Sequence, residues 1–223
     1  MSSVVPPVSP PAAAPARRKP LLLHPAAKVL LFVAALLPLA WYVWGAVANT
    51  LGANPAEALI RGMGDWTLRF LCLTLAVTPV RQWTNTPALA RFRRMLGLFA
   101  FFYGCLHFLC YAWLDKDLLL ADILPDIAKR PFILVGTLSL LLMLPLAATS
   151  FNRAIKALGA PRWQRLHRLV YVTVLLALLH FFWMRAGKND FAEVGVYAAI
   201  VAVLLGWRVV TALRRRSASR VSP

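Results

Sequence analysis

Apolar residues in this chain gather into blocks of roughly 20, the length that a helix rising about 1.5 Å per residue needs to cross a hydrocarbon core of about 30 Å. Of the 223 residues, 60% are hydrophobic and 15% charged, a balance far from that of a soluble globule. The pattern excludes a soluble bundle and predicts an all-α membrane protein, a bundle of six transmembrane helices. The predicted spans run from about Ala26 to Ala48, Asp65 to Val80, Met95 to Leu114, Pro131 to Ser150, Leu166 to Met184 and Val194 to Leu213. Arg69 interrupts the second, where a long side chain can snorkel toward the interface. The third carries no charge at all.

Residues 1–24 read as a disordered Pro/Ala-rich tail, residues 25–213 as the transmembrane domain and residues 214–223 as a basic tail. Ala46-Val47-Ala48 resembles a signal-peptidase site, but the apolar stretch before it outlasts a secretory core, so an uncleaved anchor is expected. Cys72, Cys105 and Cys110 all lie within apolar runs and read as small hydrophobes.

A net charge of +17 invites a nucleic-acid reading. Its distribution argues otherwise. On the side of both termini lie 18 of the 25 basic residues: Arg17, Arg18, Lys19, Lys28, Arg81, Arg91, Arg93, Arg94, Arg153, Lys156, Arg162, Arg165, Arg168, Arg208, Arg214, Arg215, Arg216 and Arg220. The opposite side holds the other seven and all eight acidic residues, for a net charge of −1. By the positive-inside rule both termini are cytoplasmic, and anionic lipid head groups, not nucleic acid, are the natural partner of the charge. The acidic segment Asp115 to Asp126 then faces the periplasm, as a partner site or simply as a solvated loop.

Ionisable groups inside a bilayer ask for a partner or a function. His107 lies 12 residues into the third span and His180 lies 14 residues into the fifth, both roughly 18 to 21 Å from the cytoplasmic ends. Two imidazoles at matching depth on helices running the same way are what a six-coordinate b-type haem requires. Phe99, Phe101, Phe102, Phe108, Phe181 and Phe182 are available to line a flat macrocycle. The bland alternative is hydrogen bonding between helices. His167 is 13 residues from His180, which on one regular helix leaves the two about 140° apart. A second haem near the cytoplasm would want a facing histidine at 93 or 94, and both positions are arginine. His167 therefore reads as a ligand with a different opposite partner, a flavin or quinone contact, or an interfacial cap. Arg93, Arg94, Arg162, Arg165 and Arg168 surround it as candidate anion holders or as ordinary topogenic charge. No dinucleotide fingerprint, P-loop or covalent haem-attachment sequence occurs, so reducing equivalents come from elsewhere.

Several blocks occur together in order: Leu75-Ala-Val-Thr-Pro79; Arg93-Arg-Met-Leu-Gly-Leu98; His107 followed by Tyr111; Lys129-Arg-Pro-Phe132; Leu146-Ala-Ala-Thr-Ser150; and Trp163-Gln-Arg-Leu-His-Arg-Leu-Val-Tyr171 leading to His180. Across about Trp41 to Trp183 this arrangement resembles the MsrQ (YedZ) family, the haem-binding membrane subunits of the periplasmic protein-methionine-sulfoxide reductase system, within the ferric-reductase-like transmembrane group. The resemblance implies that His107, His167 and His180 are haem-associated. It also implies b-type haem, FMN, residence in the bacterial inner membrane, and electrons drawn from the quinone pool or a cytosolic flavin reductase. Delivery would be to a periplasmic molybdopterin enzyme that reduces methionine sulfoxide in oxidised proteins. Two other classes remain open on the residues alone: a histidine-relay transporter or proton channel, and a structural anchor for a periplasmic enzyme.

Overall fold

A computed structural model describes residues 21–187 and 189–221. Among them every regular element is helical: α1 (Pro25–Val47), α2 (Pro55–Trp83), α3 (Arg93–Cys110), α4 (Leu120–Lys129), α5 (Pro131–Ala148), α6 (Asn152–Leu158), α7 (Ala160–His167), α8 (Leu169–Ala186) and α9 (Ala192–Val221), with short 3-10 turns at Leu21–Leu23 and Pro87–Phe92. Of the tail expected over residues 1–24, residues 1–20 lie outside the described residues, while Leu21–Leu23 form a 3-10 turn whose Leu22 carbonyl accepts from Arg91 Nη1 at 2.8 Å. The basic residues Arg214, Arg215 and Arg216 continue α9.

The helix starts follow from local chemistry. Pro25, Pro55 and Pro131 sit in the first turns of α1, α2 and α5, where a missing N–H costs nothing. The His24 side chain accepts from the Ala26 N–H, and Asn54 accepts from the Glu57 N–H at 3.0 Å.

Among the described residues, five helical segments are long and apolar enough to cross a membrane: Pro25–Val47, Pro87–Asp115, Pro131–Ala148, Ala160–Ala186 and Ala192–Ala218. α2, which contains the expected second span, is 29 residues long but falls short of these in apolar character. The reason lies in packing. Met63, Leu68, Phe70, Leu71, Leu75 and Val77 of α2 are all buried, because α1, α3, α8 and α9 pack against it. A helix sheathed by protein can carry Asp65 and Arg69 where one sheathed by lipid cannot. The Arg69 Nε–H donates to Tyr197 Oη at 3.0 Å, and its guanidinium lies 4.8 Å from the Trp66 ring centre. The outer helices show the converse, with Leu30, Trp41, Leu141, Leu175 and Val203 exposed as lipid-facing side chains would be.

Prolines inside two of these helices each free backbone groups, and a neighbouring helix answers both. Pro38 disrupts α1, and Tyr103 of α3 fills the gap: its hydroxyl donates to the Ala35 carbonyl at 2.8 Å and accepts from the Leu39 N–H at 3.1 Å. Pro79 of α2 has no N–H for the Leu75 carbonyl one turn back, and Arg208 of α9 donates to that oxygen from Nη2 at 2.5 Å. Backbone groups freed in a membrane helix must be satisfied within the protein.

Two expectations need correction. The acidic segment after α3 is not an irregular loop: a π-helical turn, Tyr111–Asp115, leads through left-handed residues Asp117 and Leu118 into α4. Likewise, the fifth span does not begin as one regular helix at Leu166. At Arg168 the hydrogen bonds tighten to a three-residue step, separating α7 from α8, so the angle between His167 and His180 cannot be counted at a uniform 100° per residue.

Candidate functional site

The lining residues show α3 and α8 running in one direction and α2 and α5 in the other, with a cavity at each end of the bundle. The first, about 500 Å³, is bordered by His107 of α3 and His180 of α8. Their ring centres are 5.9 Å apart with the planes at 73°.

Both imidazoles are held by the same device. His107 Nδ1–H donates to the Ile60 carbonyl of α2 at 2.8 Å, and His180 Nδ1–H donates to the Phe132 carbonyl of α5 at 2.6 Å. A carbonyl can only accept, so Nδ1 carries the proton and the Nε2 lone pair is free. In each case the residue four positions after that carbonyl is glycine. A Cβ on Gly64 would sit 3.1 Å from His107 Nδ1, and one on Gly136 would sit 2.7 Å from His180 Nδ1. The carbonyl of residue i points along the helix toward residue i+4, so a ring reaching that oxygen must lie across the next turn. Glycine leaves room for it.

Phe108, Phe132, Phe181, Leu140 and Met184 supply apolar walls, and Glu57, Arg61, Asp115 and Arg130 add charged groups to the lining. Of the phenylalanines expected around this site, Phe108 and Phe181 line it. Phe99 instead packs on Phe70 with ring centres 5.6 Å apart, Phe101 lines the second cavity, and Phe102 and Phe182 are exposed. Phe132, Gly64 and Gly136 went unrecognised in the sequence. A glycine four residues after an apolar residue is too common to stand out without the histidine that lies against it.

The second cavity, about 540 Å³, lies at the opposite end and is lined by His167 with Arg93, Arg94, Arg168, Arg208 and Arg215. Arg162 and Arg165 are not among its lining residues. His167 stacks on Trp163 with ring centres 3.9 Å apart, and its Nε2 is 3.2 Å from Thr149 Oγ1 at the end of α5. The Trp163 Nε1–H donates to the Thr149 carbonyl at 3.0 Å, so the stacked pair is fixed to α5. The structure thus joins His107 to His180 and leaves His167 in a separate, cationic site. Met143, 4% exposed, borders both cavities. Beside it, Ser139 Oγ–H donates to the Thr173 carbonyl at 3.1 Å, tying α5 to α8. Among the described residues no cluster of three or more His, Cys, Asp or Glu could hold a bare metal ion.

A family model described as "Ferric reductase like transmembrane component" matches residues 61–178, a segment that contains His107 and His167 and ends two residues before His180. The chain is 68% identical to a protein-methionine-sulfoxide reductase heme-binding subunit MsrQ of Polaromonas naphthalenivorans, over 87% of this chain and 89% of that one. It is 53% identical to the subunit of the same name from Bordetella pertussis, over 86% and 93%. With that of Xanthomonas euvesicatoria pv. vesicatoria the identity is 46%, over 89% and 93%. No solved structure matches the chain. At these identities and coverages, the chain belongs to the MsrQ family of heme-binding subunits of protein-methionine-sulfoxide reductase, within the ferric-reductase-like transmembrane components.

Proposed function

We propose that this chain is a transmembrane electron-transfer subunit in which His107 and His180 hold one b-type haem. The observation that carries the reading is the pair of half-buried imidazoles, anchored from α2 and α5, whose Nε2 atoms are free beside one cavity. The residues fit the group. Two imidazoles sharing one metal ion through bonds of about 2 Å would have ring centres about 6 Å apart, against the 5.9 Å present. The apolar walls suit a macrocycle, and Arg61 and Arg130 supply guanidinium groups for its carboxylates. Bound there, the haem supplies one-electron redox chemistry that the side chains lack. The chain's own part is to fix both imidazole tautomers through Ile60 and Phe132, to exclude water with the phenylalanines and to leave the charged groups at one end of the site.

The cytoplasmic end holds the entry site in this reading. The cationic cavity around His167 suits a flavin mononucleotide or a second haem, with arginines for its anionic groups. The donor is the quinone pool or a cytosolic flavin reductase, and the acceptor is a periplasmic molybdopterin enzyme that reduces methionine sulfoxide. The name shared by the relatives supports a catalytic partner. We take α2 as a sixth span and place both termini in the cytoplasm of a cell with a bacterial inner membrane, on the one-sided charge count.

Proteoliposomes containing the full chain test the proposal. Haem reduced from one face should be reoxidised when the partner enzyme and methionine sulfoxide are added to the other. Haem that stays reduced with both present would overturn it. Proton flux without haem would favour the relay reading.

A further inference from the structure

α4 is tied at both ends to membrane-crossing helices. It begins five residues after Asp115, where the segment containing α3 ends, and Lys129 stands two residues before Pro131, where α5 begins. A ten-residue helix on so short a tether stays close to the ends of both.

Its rotation about its own axis is fixed by Asp126. The Tyr111 hydroxyl donates to Asp126 Oδ2 at 2.7 Å, Lys116 Nζ lies 3.2 Å from that oxygen, and Arg130 Nε lies 2.9 Å from Oδ1. Ile123, on the same side, is 4% exposed. With that side turned to the protein, a step of about 100° per residue puts Leu120, Leu124 and Ala128 in a row on a second face, and Asp122 and Lys129 together on a third. Leu120 is 69% and Leu124 64% exposed, and the approach to the helix adds exposed Leu118 and Leu119. One face therefore meets protein, one is apolar and uncovered, and one is charged.

We infer that α4 is an interfacial helix whose Leu120–Leu124 face inserts among lipid acyl chains while Asp122 and Lys129 remain in water. Lipid is the occupant because α4 packs against α5, a helix long and apolar enough to cross the membrane that itself exposes Leu134, Leu138 and Leu141. Charge agrees, since the face that carries Asp122 and Lys129 points away from the apolar row. The inference bears on the haem site without depending on it. Arg130 and Asp115 border the His107–His180 cavity, so the bilayer surface fixes the segment that carries them.

The test is site-directed spin labelling of the full chain in nanodiscs of phosphatidylethanolamine and phosphatidylglycerol. Labels are placed at L120C, L124C and D122C with Cys72, Cys105 and Cys110 replaced by alanine. Relaxation by oxygen relative to a water-soluble nickel chelate should be about tenfold higher at 120 and 124 than at 122. Equal nickel access at all three positions would overturn the inference in favour of a solvated helix. Protection of 120 and 124 from both reagents would overturn it in favour of a covering protein. A fluorinated phenylalanine at position 124, with the native cysteines retained, gives the same contrast through oxygen- and nickel-induced broadening of its 19F resonance, independent of the cysteine replacements.

Discussion

Each imidazole at the His107–His180 site rests on one carbonyl and one glycine, so the glycines bear the tightest constraint. A methyl group at Gly136 meets His180 Nδ1 and Cε1 at 2.7 and 2.9 Å, against 3.1 Å for the closest contacts at Gly64. Gly136→Ala should therefore displace its histidine more than Gly64→Ala, at an overpacking cost of about 1–3 kcal/mol. Haem content per protein, compared between the two variants, checks the order. Asp126 offers a second prediction. Burial opposes its charge, but the hydrogen bonds from Tyr111 and Lys116 and the charge of Arg130 outweigh that and hold the carboxyl below its usual range. A depressed pKa contributes stability that is present above the unfolded value of about 3.9 and is lost as pH falls through the folded value. The thermal unfolding midpoint should fall on acidification below about pH 4, and Asp126→Asn should flatten that dependence. The histidines themselves were legible because an ionisable group in an apolar run is conspicuous. Their supports were not, since backbone carbonyls leave no mark in a sequence.

Among the helices, Pro79 explains an arginine that the charge count reads only as one more basic residue on the side of the termini. Arg208 donates to the Leu204 carbonyl at 2.7 Å and to the Leu75 carbonyl that Pro79 leaves without its usual donor. Arg208→Leu should destabilise the bundle by about 1–3 kcal/mol, the cost of a buried acceptor left unpaired. In a Pro79→Ala background the new N–H at 79 can reach that carbonyl, so the same substitution should cost measurably less. Unfolding of the four chains in mild detergent gives the coupling between the sites. Pattern alone located α1, α5 and α9 to within a few residues at their starts, because lipid-facing helices are apolar on every side. It did less well with α2, whose Asp65 and Arg69 are tolerated by packing that only the assembled bundle supplies. It missed α4 because charges at Asp122, Asp126 and Lys129 mask a leucine face, and it missed the step at Arg168 because nothing in that residue type announces it.

Over the whole molecule, the two cavities divide the chemistry by charge. The end bordered by His107 and His180 carries Glu57, Asp115 and paired arginines, while the His167 end carries five arginines and no acidic lining residue. That asymmetry, already present in the distribution of 25 basic and eight acidic residues, sets the two cavities apart in character, with Met143 bordering both. Haem ligation by His107 and His180 is tested by the haem-to-protein ratio and the low-temperature electron paramagnetic resonance spectrum of the purified oxidised protein, repeated for His107→Ala, His180→Ala and His167→Ala. A haem held by His107 and His180 gives a low-spin bis-imidazole signal that is lost in the first two variants and kept in the third. That signal surviving unchanged in His107→Ala or His180→Ala would contradict this ligation.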